Sequence, residues 1–86
     1  MARYELRYLP SIARDLRGLP RTDVRRILAR SERLRSDPYP AGFVKLAGQD
    51  RYRIRQGNYR ILYTVDDAIV LVEVVKIGHR SDVYRI

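Results

Sequence analysis

The chain has 86 residues and an apolar share of 45%, enough for one domain with a modest core; a chain this short buries only about 60–65% of its unfolded surface. Basic residues number 18 against 10 acidic, for a net charge of +8, and all but two of the basic residues are arginine. The absence of cysteine excludes a disulfide framework and a thiolate metal site, and no apolar run approaches the ~20 residues of a membrane span.

Met1 to Leu9 contains Arg3, Glu5 and Arg7, a composition that predicts no signal-peptide core, and the lack of cysteine fits the expected cytoplasmic location. Tyr4 to Leu9 reads as a short strand, with Tyr4, Leu6 and Tyr8 alternating against Glu5 and Arg7. Pro10 ends it, and Ser11 is expected to cap a short helix carrying Ile12, Ala13, Leu16 and Leu19. Gly18 and Pro20 separate this helix from a second one, expected from Pro20 to about Arg35. On it, Val24, Ile27, Leu28 and Leu34 form one stripe, while Arg21, Arg25, Arg26, Arg30 and Arg33 cover much of the rest. Ser36 to Gly42, with Pro38 and Pro40, is a loop by composition.

From Phe43 the period changes from helical to two. Tyr52-Arg53-Ile54-Arg55 is one strand, Gly57-Asn58 a turn, and Tyr59 to Val65 a second strand. Asp66-Asp67 is a further turn, leading into Ile69 to Ile77, apolar on both faces and therefore read as the central strand. The predicted order is β-α-α-β-β-β. This is an α+β domain spanning 1–86, with a helical hairpin packed on one face of a small, mainly antiparallel sheet.

Alternation sends Tyr52 and Ile54 to the core and Arg51, Arg53 and Arg55 to the opposite face. Arg60 joins them, because Tyr59, Ile61 and Tyr63 claim the core side of its strand. No acidic residue lies between Arg51 and Val65, and clustered like charges are unfavourable unless an anion is expected. Arginine's planar fork grips phosphate oxygens and stacks on bases, and a field of this sign attracts polyanions. The bland alternative is a solvated face with long snorkelling side chains. Gly78 to Arg85 follows the last strand and is expected to fold toward the arginine face. It offers His79 as a titratable imidazole, Arg80 as a phosphate clamp and Tyr84 as a stacking ring. His79 as a turn or packing residue and Tyr84 as a core cap are the competing readings.

Phe43-Val44-Lys45-Leu46-Ala47-Gly48, Tyr52-Arg53-Ile54-Arg55, Asn58-Tyr59-Arg60-Ile61-Leu62-Tyr63 and Gly78-His79-Arg80-Ser81-Asp82-Val83-Tyr84-Arg85 together resemble the RelE branch of the RelE/ParE toxins. The resemblance covers nearly the whole chain and implies the toxin of a toxin–antitoxin system. It further implies a metal-independent, cofactor-free endoribonuclease that enters the decoding site of a translating ribosome. There it cuts mRNA by attack of the 2′-hydroxyl on the adjacent phosphate. The family's basic strand pair corresponds to Arg53 and Arg55, its phosphate-clamping arginine to Arg60, its second essential arginine to Arg80 and its C-terminal aromatic to Tyr84.

Well-studied members carry lysines at the positions of Arg53 and Arg55, one a proposed general base. Arginine stays protonated and is a poor base, so the base is Tyr84, His79 or a ribosomal RNA group. Arg51, His79 and the helix arginines Arg21, Arg25, Arg26, Arg30 and Arg33 are expected to contact RNA. The implied partners are the ribosome, its mRNA and an acidic RelB-like antitoxin wrapping the basic surface; no membrane is involved. Two rivals remain: a ParE-like toxin that inhibits DNA gyrase by binding, and a catalytically weak RNA-binding relative.

Overall fold

Proline and glycine cut the chain into short amphipathic pieces, and the sheet gathers them. The computed structural model describes residues 3–79. The elements are β1 (Glu5–Tyr8), α1 (Ile12–Leu16), α2 (Arg21–Glu32), a 3-10 turn (Arg33–Arg35), β2 (Val44–Lys45), β3 (Tyr52–Gln56), β4 (Tyr59–Asp66) and β5 (Leu71–His79). The architecture is α+β, with two helices on one face of a five-stranded sheet of order β1-β5-β4-β3-β2. β1 runs parallel to β5, and every other pairing is antiparallel.

The helix-side core consists of Leu6, Ile12, Ile27, Leu34, Ile54, Ile61, Tyr63, Val72, Val74 and Ile77. They come from alternate strand positions and from the apolar stripes of the helices. Ser31 is also fully buried, and its hydroxyl donates to the Ile27 carbonyl at 2.8 Å. The two-residue turn at Gly57-Asn58 places Gly57 at φ 59°. A hairpin turn with a left-handed first residue takes glycine without strain.

Three aspartates hold the frame. β1 ends level with Val74, and beyond it the outer edge of β5 is covered by α1. There Asp15, its side chain 7% exposed, accepts from the Ile77 amide and from Lys76 Nζ, both at 3.0 Å. Asp67 accepts from the phenols of Tyr4 and Tyr39, and Asp23 from that of Tyr59 at 2.9 Å. Tyr63, wholly buried, donates to the Pro38 carbonyl at 2.7 Å. With Tyr39, Phe43 and Tyr52 it forms an aromatic cluster with ring centroids 5.5 to 6.0 Å apart. The long loop is thus fastened to the sheet at several points.

Four details depart from the sequence reading. The second helix tightens into a 3-10 turn after Glu32 instead of continuing to Arg35. A two-residue edge strand, β2, precedes β3, too short for periodicity to reveal. β5 begins at Leu71, leaving Ile69 in the turn and 64% exposed, because Asp66 Oδ1 captures the amides of Ala68 and Ile69. The middle strand is β4, with β5 beside it. A bulge at Val75, where Leu62 pairs with Lys76 but Tyr63 with Val74, lets Val74 and Ile77 both reach the core.

Candidate nucleic-acid interface

On the sheet face away from the helices, register brings the strand arginines together. Arg55 and Arg60 are direct cross-strand partners, and Arg53 lies opposite Leu62, one pleat along. Directly opposed side chains have Cβ atoms about 4.5–5.5 Å apart, and like charges so placed repel. On the other side of Arg60 the partner is Gly78, which brings no side chain, so the guanidinium is not crowded by β5. Arg60 is 3% exposed and Leu62 fully buried, so the middle of this face is enclosed rather than bare. Arg53 is half-buried and Arg55 exposed. A guanidinium sequestered from water and flanked by a second one concentrates positive potential where bulk solvent screens it least.

Arg51 precedes β3 by one residue, and its carbonyl closes the turn from Leu46 at 2.9 Å. Alternation assigns it to the same face as Arg53 and Arg55. The helix arginines divide. Arg30, half-buried on α2, lines a cavity with Arg53, Arg55, Val44, Ala41 and Gly42. Arg26 lines another, of about 260 Å³, with Asp23, Gln56, Gly57, Asn58, Tyr59 and His79. Arg21, Arg25 and Arg33 are exposed on α2 and the 3-10 turn, and they line neither cavity.

His79 is not placed as the sequence reading expects. It is the last residue of β5, not part of a tail, and it is the cross-strand partner of Tyr59. Its ring meets the Tyr59 ring edge-on at 6.0 Å. Tyr59 packs against the helix-side core, so His79 faces the helix side while Arg60 and Gly78, one position along, face the other way. The Tyr59 phenol is held above its ordinary pKa, chiefly by its hydrogen bond to Asp23. Arg80 and Tyr84 lie outside the described residues.

Sequence reasoning missed Asp15, Asp23 and Asp67. Each finds its donors across 28 to 63 residues, which no local pattern encodes. Among the described residues no group of three or more His, Asp or Glu is arranged to hold a metal ion, and no helix is long and apolar enough to cross a membrane.

Residues 6–84 match the family model described as the ParE toxin of type II toxin–antitoxin systems, parDE. The chain is 34% identical over 90 residues to toxin RelG of Mycobacterium tuberculosis, covering 95% of this chain and 97% of that one. Its fold matches the archaeal RelE–RelB complex from Pyrococcus horikoshii with a TM-score of 0.80 and 29% identity, over 93% of this chain and 97% of that one. The isolated RelE toxin of E. coli gives a TM-score of 0.75 at 29% identity, over 95% and 92% of the two chains.

Proposed function

The chain belongs to the RelE/ParE superfamily of type II toxins, on its RelE-type side, and from that premise we propose that it is a ribosome-dependent mRNA endoribonuclease. The observation that carries the reading is the Arg55–Arg60 pair, with Arg53 beside it, on the face away from the helices. In RNA cleavage by the 2′-hydroxyl, the substrate supplies its own nucleophile. The protein must then orient the strand, stabilise charge on the phosphorane and manage two protons, chemistry that needs neither a metal nor a cofactor.

Arg60, nearly enclosed, would hold the scissile phosphate and the charge that builds on it. Arg53 and Arg55 would hold the strand and add to the field. All three remain protonated and none is a base. His79 faces the opposite side of the sheet, which disfavours it as the group that takes the 2′-hydroxyl proton. That leaves Tyr84 or a ribosomal RNA group as the base, of which Tyr84 is the one this chain supplies, and Arg80 would stabilise the leaving 5′-oxygen. The cytoplasm, where ribosomes translate, is the place of action. The partner is an acidic RelB-like antitoxin, in keeping with the net charge of +8 and with the RelE–RelB complex that this fold resembles.

The test is primer extension on a defined message with purified ribosomes. New 5′ ends in phase with codons are expected only when the message is being translated. A second reading, gyrase inhibition by binding, has in its favour the ParE description of the matching family model. It predicts no new ends and a loss of gyrase supercoiling in vitro. Binding of message with neither effect would mark a catalytically inactive RNA-binding relative.

A further inference from the structure

β2 pairs only with Tyr52 and Arg53, so among the described residues no strand lies along the outer edge of β3 from Ile54 onward. A groove of about 360 Å³ opens there, lined by Arg30, Arg53, Arg55, Val44, Ala41 and Gly42. Its composition is unusual in two ways. Three guanidiniums from two elements converge on it, and none of its lining residues is acidic. Its remaining wall is small or apolar: Ala41, Gly42 and Val44, the last 40% exposed.

The groove also joins two sides of the molecule. Arg53 and Arg55 belong to the face away from the helices, whereas Arg30 comes from α2 on the helix side. Arg30 reaches far enough under the sheet edge for its charge to oppose the burial-driven rise in the Tyr63 pKa. An extended polyanion lying across Arg60 and Arg55 therefore meets Arg30 when it turns over the edge of β3.

We infer that this groove is a second phosphate site for single-stranded RNA. Arg30 would hold a phosphodiester neighbouring the one at Arg60, and Val44 would contact the attached sugar or base. The inference rests on the proposed RNA substrate and adds to it a strand path and a residue, Arg30, that the cleavage chemistry does not use. A planar fork suits a phosphate with two adjacent oxygens. The shared Arg53 and Arg55 favour one continuous strand over a separate acidic peptide, because a single backbone carries a charge at each link.

The experiment measures anisotropy of a labelled single-stranded oligonucleotide, 2′-O-methylated throughout so that it cannot be cut, across a series of salt concentrations. Arg30→Gln should bind more weakly than the unmodified chain and lower the slope of log K against log salt by about 0.7, the value for one lost single-strand phosphate contact. Arg14→Gln removes the same charge from an exposed position on α1 and should leave the slope nearly unchanged. Arg30→Lys should restore most of the slope, since the slope counts charges rather than forks.

Equal slopes for Arg30→Gln and Arg14→Gln would overturn the site. So would unchanged RNA binding by Arg30→Gln together with lost binding of a glutamate-rich peptide, which would assign the groove to a protein partner. Binding of an uncleavable strand needs no catalysis, so a failed cleavage assay leaves this measurement standing. Normal cleavage with an unchanged slope would remove the groove alone.

Discussion

The two faces of the β3–β4 hairpin come from one alternating sequence and have opposite characters. Toward the helices, Tyr52, Ile54, Tyr59, Ile61 and Tyr63 interlock with the core, and the phenols of Tyr59 and Tyr63 each find a fixed acceptor. Away from them, Arg53, Arg55 and Arg60 crowd like charges into adjacent register positions. The first face adds buried apolar contact to the fold, whereas the second gathers positive charge of a kind that suits a polyanion. Acidic residues follow the same division. Asp15, Asp23 and Asp67 are spent on Lys76 and the Ile77 amide, on Tyr59, and on Tyr4 and Tyr39. None of the three lines the Arg30–Arg53–Arg55 groove.

The largest expected effect on stability comes from crossing this division at one strand position. Ile61 is wholly buried on the helix side, so Ile61→Ala should cost about 2–5 kcal/mol by lost transfer and a residual cavity, read from urea unfolding. If the faces were not distinct in role, that loss would be accompanied by an intrinsic loss of RNA binding in the molecules that remain folded.

A smaller effect of opposite sign is expected at the far end of the hairpin. Val70 is the one non-glycine residue with positive φ, at 54°, among the described residues, and a β-branched side chain is disfavoured there. Val70→Gly should therefore raise stability by about 1 kcal/mol, the usual left-handed penalty, without changing RNA affinity. An unchanged or lower unfolding midpoint would show that the turn carries no strain.

The smallest effect is a pH dependence at Asp67. Hydrogen bonds from Tyr4 and then Tyr39 hold its carboxyl below the ordinary value of 3.8. Its contribution is therefore present above that value and lost as pH falls through the lower folded value. Tyr39 and Tyr4 are raised above 10.0, Tyr39 mainly by burial and Tyr4 mainly by its bond to Asp67. Their share is present below pH 10 and lost as pH rises through the higher folded values. Asp67→Asn should thus unfold more easily than the parent between about pH 4 and 10, and the gap should close as pH falls through the lowered folded value of Asp67. A gap that persists in acid would place its cause elsewhere.

Much of this was written locally. Alternation at 52–55 and 59–65 placed Arg53, Arg55 and Arg60 opposite the core, and Gly57-Asn58 set the turn that brings Arg55 across from Arg60. Long-range choices left no such trace. His79 reads as a tail residue because nothing nearby says that β5 continues to it. Its face follows from pairing with Tyr59, and that pairing depends on a bulge at Val75 that no turn residue in the segment 74–77 signals. The Arg30 groove likewise exists because β2 stops after two residues, a matter of where the loop lands.

The most direct measurement compares neighbours on β4. Cleavage of a translated message is timed for Arg60→Ala and Ile61→Ala, per folded molecule, at a temperature where circular dichroism shows both intact. Arg60→Ala should cut about 100- to 1,000-fold more slowly, the usual loss on removing one oxyanion contact, while Ile61→Ala stays within a few-fold of the parent. Parental cleavage by folded Arg60→Ala would contradict the assignment of catalysis to the arginine face.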